Sequence, residues 1–123
     1  MFHLFDGVKS RVISRKEGTE VVVIGFPGGG LIPNFEKMDH FELFCVRNGK
    51  TVKKQMLRFP DNADTTDRIR MMRELSADAV VAARFLPRDL SKLKEAGIRA
   101  YTYDGGPGAA IRDYCRGFLK PIF

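Results

Sequence analysis

Residues Asp78–Gly108 read DAVVAARFLPRDLSKLKEAGIRAYTYDGGPG, and this stretch decides the fold. It opens with the apolar run Ala79–Ala83, which is too short for an isolated helix and rich enough in valine for a buried strand. Pro87 suits the first turn of a helix, and Gly97 is placed to end that helix in a left-handed conformation. Ile98–Tyr103 has the aromatic and β-branched character of a second strand. The apolar side chains that recur at helical spacing between the two strands are Leu86, Leu90, Leu93 and Ala96.

This strand–helix–strand order predicts a right-handed βαβ crossover that places two parallel strands side by side. The loops that follow the strands, residues 83–88 and 104–108, then emerge at the same edge of the sheet. Ligands of open α/β sheets bind at the carboxyl ends of the strands. We therefore expect any binding site at this edge.

Three further strands precede the crossover. Glu20–Phe26, EVVVIGF, contains four successive β-branched residues and is apolar on both faces, so we expect it to be central. Phe41–Val46 and Thr51–Phe59 are joined by Asn48-Gly49, a strong hairpin signal. Consecutive strands joined in this way pair antiparallel.

Two further helices complete the pattern. Asp64 can cap a helix whose inner stripe is Ile69, Met72 and Leu75, with Arg68 expected outside that stripe. The last helix is expected from Pro107 to Phe118. Its inner face would carry Ile111, Tyr114, Cys115 and Phe118.

Together these elements predict an α/β fold with a five-stranded mixed sheet in the order 3-2-1-4-5, flanked by three helices. This is the ribonuclease H-like arrangement. The chain of 123 residues suits one domain, expected over residues 20–123. Residues 1–19 are expected to form an N-terminal arm or a short strand.

Composition limits the possible partners. The net charge of +6 favours an anionic partner, such as a phosphate, an acidic protein or an anionic cofactor. No apolar run approaches membrane-spanning length, and the first residues lack the basic region of a signal peptide, so a cytoplasmic protein without membrane contact is expected. Cys45 and Cys115 form no CxxC motif and are expected to be buried, reduced and without a metal.

Several short motifs follow one another at characteristic spacing. They are an apolar strand with a glycine-rich turn, Pro33-Asn34-Phe35, Phe41, a hairpin, Asp78–Val81 and the run from Leu90 to Ile98. From about Glu20 to Phe118 the chain resembles the dinitrogenase iron–molybdenum cofactor biosynthesis family (NifX-like). The resemblance implies one small ribonuclease H-like domain without enzyme activity. It also implies that the domain carries or stores an anionic iron–sulfur precursor of the iron–molybdenum cofactor.

The chain departs from this family at two motifs. The family usually has His-Phe-Gly where this chain has Asn34-Phe35-Glu36, and asparagine is a poor ligand for iron compared with imidazole. The glycines that the family carries after the fourth strand fall on Ala83, Arg84 and Leu86. Either the site has changed its ligand or the site has been lost.

Three loops form the candidate anion site at the carboxyl edge of the parallel strands. Glycine amides can approach an anion closely, helix N-termini favour negative charge, and arginine adds a fixed charge of bidentate geometry. His40 could reach the same edge but is expected to be a surface residue. The candidate binding residues are Gly28, Gly29, Gly30, Asn34, Arg84, Arg88, Gly105 and Gly106.

Two functions remain open from the residues. The first is a carrier for an anionic metal–sulfur cluster or a related small anion. The second is a protein-interaction or regulatory domain that kept the fold and lost the site. Nuclease chemistry is disfavoured because the strand Val21–Ile24 carries no carboxylate, and nucleic-acid binding because acidic residues dilute the basic helix around Arg70.

Overall fold

The computed structural model describes residues 18–123, so residues 1–17 of the arm or short strand predicted for residues 1–19 lie outside the described residues. The first strand begins at Thr19, one residue before the predicted boundary. A single 3-10 turn covers Phe35–Lys37. The strands and helices are β1 (Thr19–Gly25), β2 (His40–Arg47), β3 (Lys50–Arg58), α1 (Thr65–Glu74), β4 (Ala79–Ala82), α2 (Pro87–Glu95), β5 (Arg99–Thr102) and α3 (Pro107–Cys115).

The five strands form one mixed sheet in the order β3-β2-β1-β4-β5, as predicted. β1 is central: it pairs antiparallel with β2 and parallel with β4, and β4 pairs parallel with β5. Asn48 and Gly49 both adopt positive φ angles, 54° and 74°, as a tight hairpin turn between β2 and β3 requires. The strand order is compatible with the ribonuclease H-like arrangement.

The helices cover both faces of the sheet. Alternate side chains of β1 enter two separate cores, Val21 and Val23 on one face and Val22 and Ile24 on the other. The first core contains side chains of α1 and α2, and the second contains Ala110 of α3. Burial on both faces explains why β1 is apolar throughout instead of alternating.

The ends of α1 and α2 follow the local signals. Asp64 caps α1 by accepting from the amide of Asp67, while the Asp67 carboxylate accepts from the amide of Asp64. The bond from the Asp67 amide lowers the pKa of Asp64. Gly97 follows α2 with a φ of +75°, as a left-handed helix end requires. No helix within residues 18–123 has the length and apolar character needed to cross a membrane.

The C-terminal helix ends earlier than predicted. α3 stops at Cys115 because Gly117 adopts a left-handed φ of +75°, and the amide of Phe118 donates to the carbonyl of Asp113. Phe118 is therefore exposed, and Cys115 is only half-buried, so the prediction that both point fully inward was wrong. Cys45, the other free thiol, is buried as predicted.

Arg68 lies inside the protein, contrary to the prediction that it lies outside the α1 stripe. Its side chain is only 9% exposed. Nε donates to the carbonyl of Met38 at 3.3 Å, and Nη2 donates to the carbonyl of Glu36 at 3.1 Å. The guanidinium also lies about 6 Å from the ring centres of Phe35 and Phe59. Arg68 thereby joins α1 to the 3-10 turn that carries Asn34.

A half-buried polar cluster lies at the amino ends of the parallel strands, opposite the predicted site. The Tyr114 hydroxyl donates to Glu20 at 2.9 Å, and Arg99 donates to both Glu20 and Tyr114. Burial and the bond to Glu20 raise the pKa of Tyr114. Burial alone would lower the pKa of Arg99, but the hydrogen bond to Glu20 and the charges of Tyr114, Tyr101 and Glu20 together raise it. This cluster connects β1, β5 and α3.

Candidate functional site

Backbone hydrogen bonds bring the three predicted loops together. The amide of Ile32 donates to the carbonyl of Gly105 at 2.8 Å. The amide of Phe35 donates to the carbonyl of Arg84 at 3.0 Å, and the amide of Ala83 donates to the carbonyl of Pro33 at 2.9 Å. The glycine-rich loop after β1 therefore contacts both the loop after β4 and the loop after β5. We call the group Gly28–Gly30, Asn34, Arg84, Gly105 and Gly106 the loop site.

Close packing accounts for two of the loop-site glycines. A Cβ on Gly106 would lie 3.2 Å from the carbonyl oxygen of Gly30, and a Cβ on Gly105 would lie 2.8 Å from the Tyr103 ring. Gly28 and Gly29 are different, because a Cβ on either would meet open space. Gly106 thus allows the loops after β1 and β5 to meet, and Gly105 avoids the Tyr103 ring of its own loop, whereas Gly28 and Gly29 present an exposed, unencumbered backbone.

Arg84 has a protein partner that the sequence reading did not anticipate. Its Nη1 forms an ion pair with Asp104 Oδ1 at 3.0 Å and also donates to the carbonyl of Ala83. The Arg84 side chain is 62% exposed, so this pair is open to solvent and contributes little to stability. The guanidinium keeps further donors for an external acceptor, but Asp104 places a negative charge directly beside them.

Asn34 and Arg88 differ in how well they fit the predicted site. Asn34 precedes the 3-10 turn; its carbonyl accepts from the amide of Lys37, and its side chain caps nothing. The side-chain amide of Asn34 therefore forms no capping hydrogen bond with the 3-10 turn beside the loop site. Arg88 is exposed on the first turn of α2, and within residues 18–123 no hydrogen bond or ion pair links it to the three loops.

Two helix N-termini adjoin the loops. Leu86 precedes α2 and Gly106 precedes α3, and neither helix has a side chain that caps its first amides. The first turn of α3 has no acidic residue, whereas α2 carries the buried Asp89 there. Exposed helix amides attract negative charge, so the N-terminus of α3 is the more favourable of the two for an anion.

The side chains around the loops suit hydrogen bonding better than metal coordination. Among residues 18–123 there is no group of three or more histidine, cysteine or acidic side chains arranged to hold a metal ion. Cys45 lies within the α1-side core, and Cys115 lies at the far end of α3 from the loops. His40 is exposed at the same edge, where its carbonyl accepts from the amide of Phe26 at 2.9 Å.

Sequence reasoning missed two features of the site. One is Asp104, which follows β5 at the position that Arg84 has after the adjacent β4. This equivalence was a signal in the sequence that the two side chains are neighbours. The other is an apolar rim: Leu31 is 70% exposed within the glycine-rich loop, and Phe26 is also exposed. Both side chains belong to the segment that follows β1.

The comparisons with known proteins concern the fold. The sequence matches no protein-family model and no curated protein. The crystal structure of PH0822 is similar with a TM-score of 0.74 at 16% identity, over 84% of this chain and 95% of that one. A "putative dinitrogenase" from Methanocaldococcus jannaschii has a TM-score of 0.68 at 14% identity, over 83% and 93%. A "putative NifB protein" from Thermotoga has a TM-score of 0.63 at 15% identity, over 84% and 93%. These likenesses show that the chain has the fold of these proteins.

Proposed function

We propose that this protein is a non-enzymatic, cytoplasmic binding or carrier protein of NifX-like type that holds a small anion or an anionic metal–sulfur cluster at the loop site. The observation that carries the proposal is the direct hydrogen bonding among the three loops after β1, β4 and β5. This contact gathers exposed glycine amides, the N-terminus of α3 and Arg84 at one edge of the sheet. The dinitrogenase and NifB names of two similar structures support an accessory role in nitrogenase cofactor assembly.

The cargo would be recognised by charge and hydrogen bonds. No described thiol reaches the loops, and Asn34 stands where the resembled family has its imidazole. These residues do not form a coordination sphere for an iron–sulfur cluster. An anionic cluster would therefore be held from outside by amides and guanidinium, as a phosphate or carboxylate would be. Weak, exchangeable binding of this kind suits a carrier that must release its cargo.

Calorimetric titration with sulfate, phosphate and citrate tests the loop site. We expect binding at low salt that weakens at moderate salt, since the attraction is partly Coulombic. Arg84→Ala should weaken binding by about tenfold, because it removes at least one charge-assisted hydrogen bond. Asp104→Asn should strengthen binding several-fold, because it removes the competing carboxylate. Arg88→Ala is the matched control and should leave affinity unchanged.

Two results would contradict the proposal. One is the absence of binding of all three anions at millimolar concentration by both the native protein and Asp104→Asn. The other is equal affinity of Arg84→Ala and the native protein. Iron content and colour of the protein purified without oxygen separate the two cargoes, since a bound cluster brings stoichiometric iron and visible absorption.

The alternative is a protein-interaction or regulatory domain that has lost the cluster site. The Arg84–Asp104 ion pair favours this alternative, because Asp104 already supplies the acceptor that an anion would otherwise provide. If Asp104→Asn gains no affinity for any of the three anions, the loops are a tight structural connection and this alternative stands.

A further inference from the structure

The two edges of the sheet differ in how they are covered. At the β5 edge, the amide of Ile122 in the C-terminal tail donates to the carbonyl of Ala100 at 2.7 Å. At the opposite edge, β3 is the last strand among residues 18–123, and its nine residues are exposed apart from two that are half-buried. β3 therefore presents outward backbone donors and acceptors, interrupted at Val52 where the register with β2 shifts, and these can pair with another strand.

Apolar surface lies on both faces beside this edge. Met56, opposite Glu42 on the face away from α1 and α2, is 45% exposed, and Val52, where the register shifts, is 53% exposed. On the α1 side, an open groove of about 570 Å³ follows the end of β3; Phe59, Pro60 and Met71 line it together with charged side chains of both signs, Arg58, Asp61, Asp67, Arg70 and Glu74. A strand added next to β3 would direct alternate side chains to these two faces.

The charge of the edge selects the kind of strand that can pair there. β3 reads KTVKKQMLR and contains no acidic residue. Lys54 lies 3.9 Å from Glu42, and Arg58 is paired with Asp61, whereas Lys50 and Lys53 form no ion pair within the described part of the chain. The edge thus carries unbalanced positive charge.

The same lysines oppose pairing between two copies of the chain. An antiparallel β3–β3 pair centred on Lys53 or Lys54 would place that lysine opposite its own copy, and like charges directly opposite each other are destabilising. An acidic strand would instead place carboxylates opposite the lysines. Charge complementarity therefore favours a different, acidic protein as the partner.

We propose that the β3 edge is a docking site for an acidic, extended segment of a partner protein, which adds to the sheet as a sixth strand. Main-chain hydrogen bonds supply the register; carboxylates on one face of the added strand lie beside Lys53, and apolar side chains on its other face cover Met56. This edge is separate from the loop site, whose nearest strand, β1, lies beyond β2 in the sheet.

The test uses a short peptide of alternating glutamate and valine and observes the protein by NMR. We expect the peptide to shift the backbone amides of β3, to protect the outward amides from hydrogen exchange, and to bind more weakly as salt rises. The double variant Lys53→Glu/Lys54→Glu should lose about tenfold in affinity for this peptide. The variant should in return gain affinity for a second peptide, of alternating lysine and valine, which would show that the variant is folded and that its edge still binds a strand.

Matched controls separate strand addition from simple charge attraction. Lys92→Glu/Lys94→Glu changes the net charge equally on the exposed face of α2 and should leave the affinity unchanged. A glutamate–valine peptide with alternate backbone nitrogens methylated keeps its charge but loses its hydrogen bonds, and should bind about tenfold more weakly. Absence of binding at millimolar peptide, shifts confined to the loop site, equal binding of the methylated peptide, or a native dimer through β3 would each overturn the proposal.

Discussion

Replacement of the buried Arg68 by methionine should destabilise the protein by about 2 kcal/mol. The guanidinium is enclosed by α1, the 3-10 turn and two aromatic rings, and it donates to the carbonyls of Met38 and Glu36 at 3.3 and 3.1 Å. Methionine keeps most of the apolar stem and a similar length, so the substitution chiefly removes the charged donors. The two carbonyls then lose their partner at a site with little access for water.

Three effects determine the magnitude. Hydrogen bonds from a charged donor contribute about 1.5–3 kcal/mol each, and both distances here favour the lower end of that range. The rings lie near the 6 Å limit for a cation–π contact, so that contact adds little. Against this, methionine avoids the desolvation cost of a buried charge. This gain recovers at least about 1 kcal/mol, a third of the loss. The balance is the stated ~2 kcal/mol.

Urea denaturation of native protein, Arg68→Met and Arg68→Lys measures this balance. Arg68→Met should lower the midpoint without changing the slope, and Arg68→Lys should fall between the two because an ammonium can reach one carbonyl. Hydrogen exchange at the amides of Lys37 and Met38 should accelerate in Arg68→Met, since the turn loses its anchor to α1. Arg68→Met with native or greater stability would show that desolvation outweighs the hydrogen bonds and would refute this reasoning.

Three further predictions concern groups away from the loops. A thiol reagent should label the half-buried Cys115 faster than the buried Cys45 in the native protein, and equal rates would contradict the difference in burial. Folding raises the pKa of Tyr114. The protonated hydroxyl therefore contributes stability below the unfolded pKa, and this contribution is lost as pH rises through the folded pKa. The free energy of unfolding should accordingly fall as pH rises above about 10. Tyr114→Phe should show a smaller alkaline loss in pH-dependent thermal unfolding. Within residues 18–123, the Thr65 hydroxyl is the only hydrogen-bond donor to the carboxylate of Asp89, which is fully buried. Thr65→Val should therefore lower the free energy of unfolding by about 2 kcal/mol in urea denaturation, whereas Thr65→Ser should be close to native.

The sheet could be predicted because its signals are local and mutually consistent. The unbroken apolar run of β1 required burial on both faces, and only a central strand has both faces covered. Asn48-Gly49 defined one antiparallel pair, and the strand–helix–strand unit defined one parallel pair. α3 was predicted too long because Ile111 and Phe118 keep a helical spacing that continues past Gly117, whose left-handed conformation ends the helix.

Arg68 fits the helical spacing of the buried face of α1, but its charge led to the opposite prediction. Arg68, Met72 and Leu75 occupy positions i, i+4 and i+7, which is the spacing of one helix face. A charged residue on such a face is normally assigned to solvent, because burial of a charge is costly without partners. Here the partners are backbone carbonyls of the 3-10 turn, some thirty residues earlier in the chain, so no local pattern could reveal them.

The contact between Arg84 and Asp104 could have been predicted from the sequence. The register of β4 and β5 pairs Ala82 with Thr102, an offset of twenty positions, and Arg84 and Asp104 have that same offset. Two side chains at equivalent positions after adjacent parallel strands are neighbours, and opposite charges there will pair. The hydrogen bond of Ile32 to Gly105 could not be predicted from the sequence, because it depends on the path of an irregular loop.

The Arg84–Asp104 pair also sets a quantitative limit on the loop site. An exposed ion pair contributes about 0–1 kcal/mol, whereas an anion with several oxygens can form more than one charge-assisted hydrogen bond to Arg84 and the glycine amides, each contributing about 1.5–3 kcal/mol. Such an anion would displace Asp104, so the pair lowers affinity without closing the site. Because 1 kcal/mol corresponds to about fivefold in affinity, Asp104→Asn should strengthen anion binding by no more than about fivefold. A much larger gain would mean that Asp104, besides competing for Arg84, repels the anion directly.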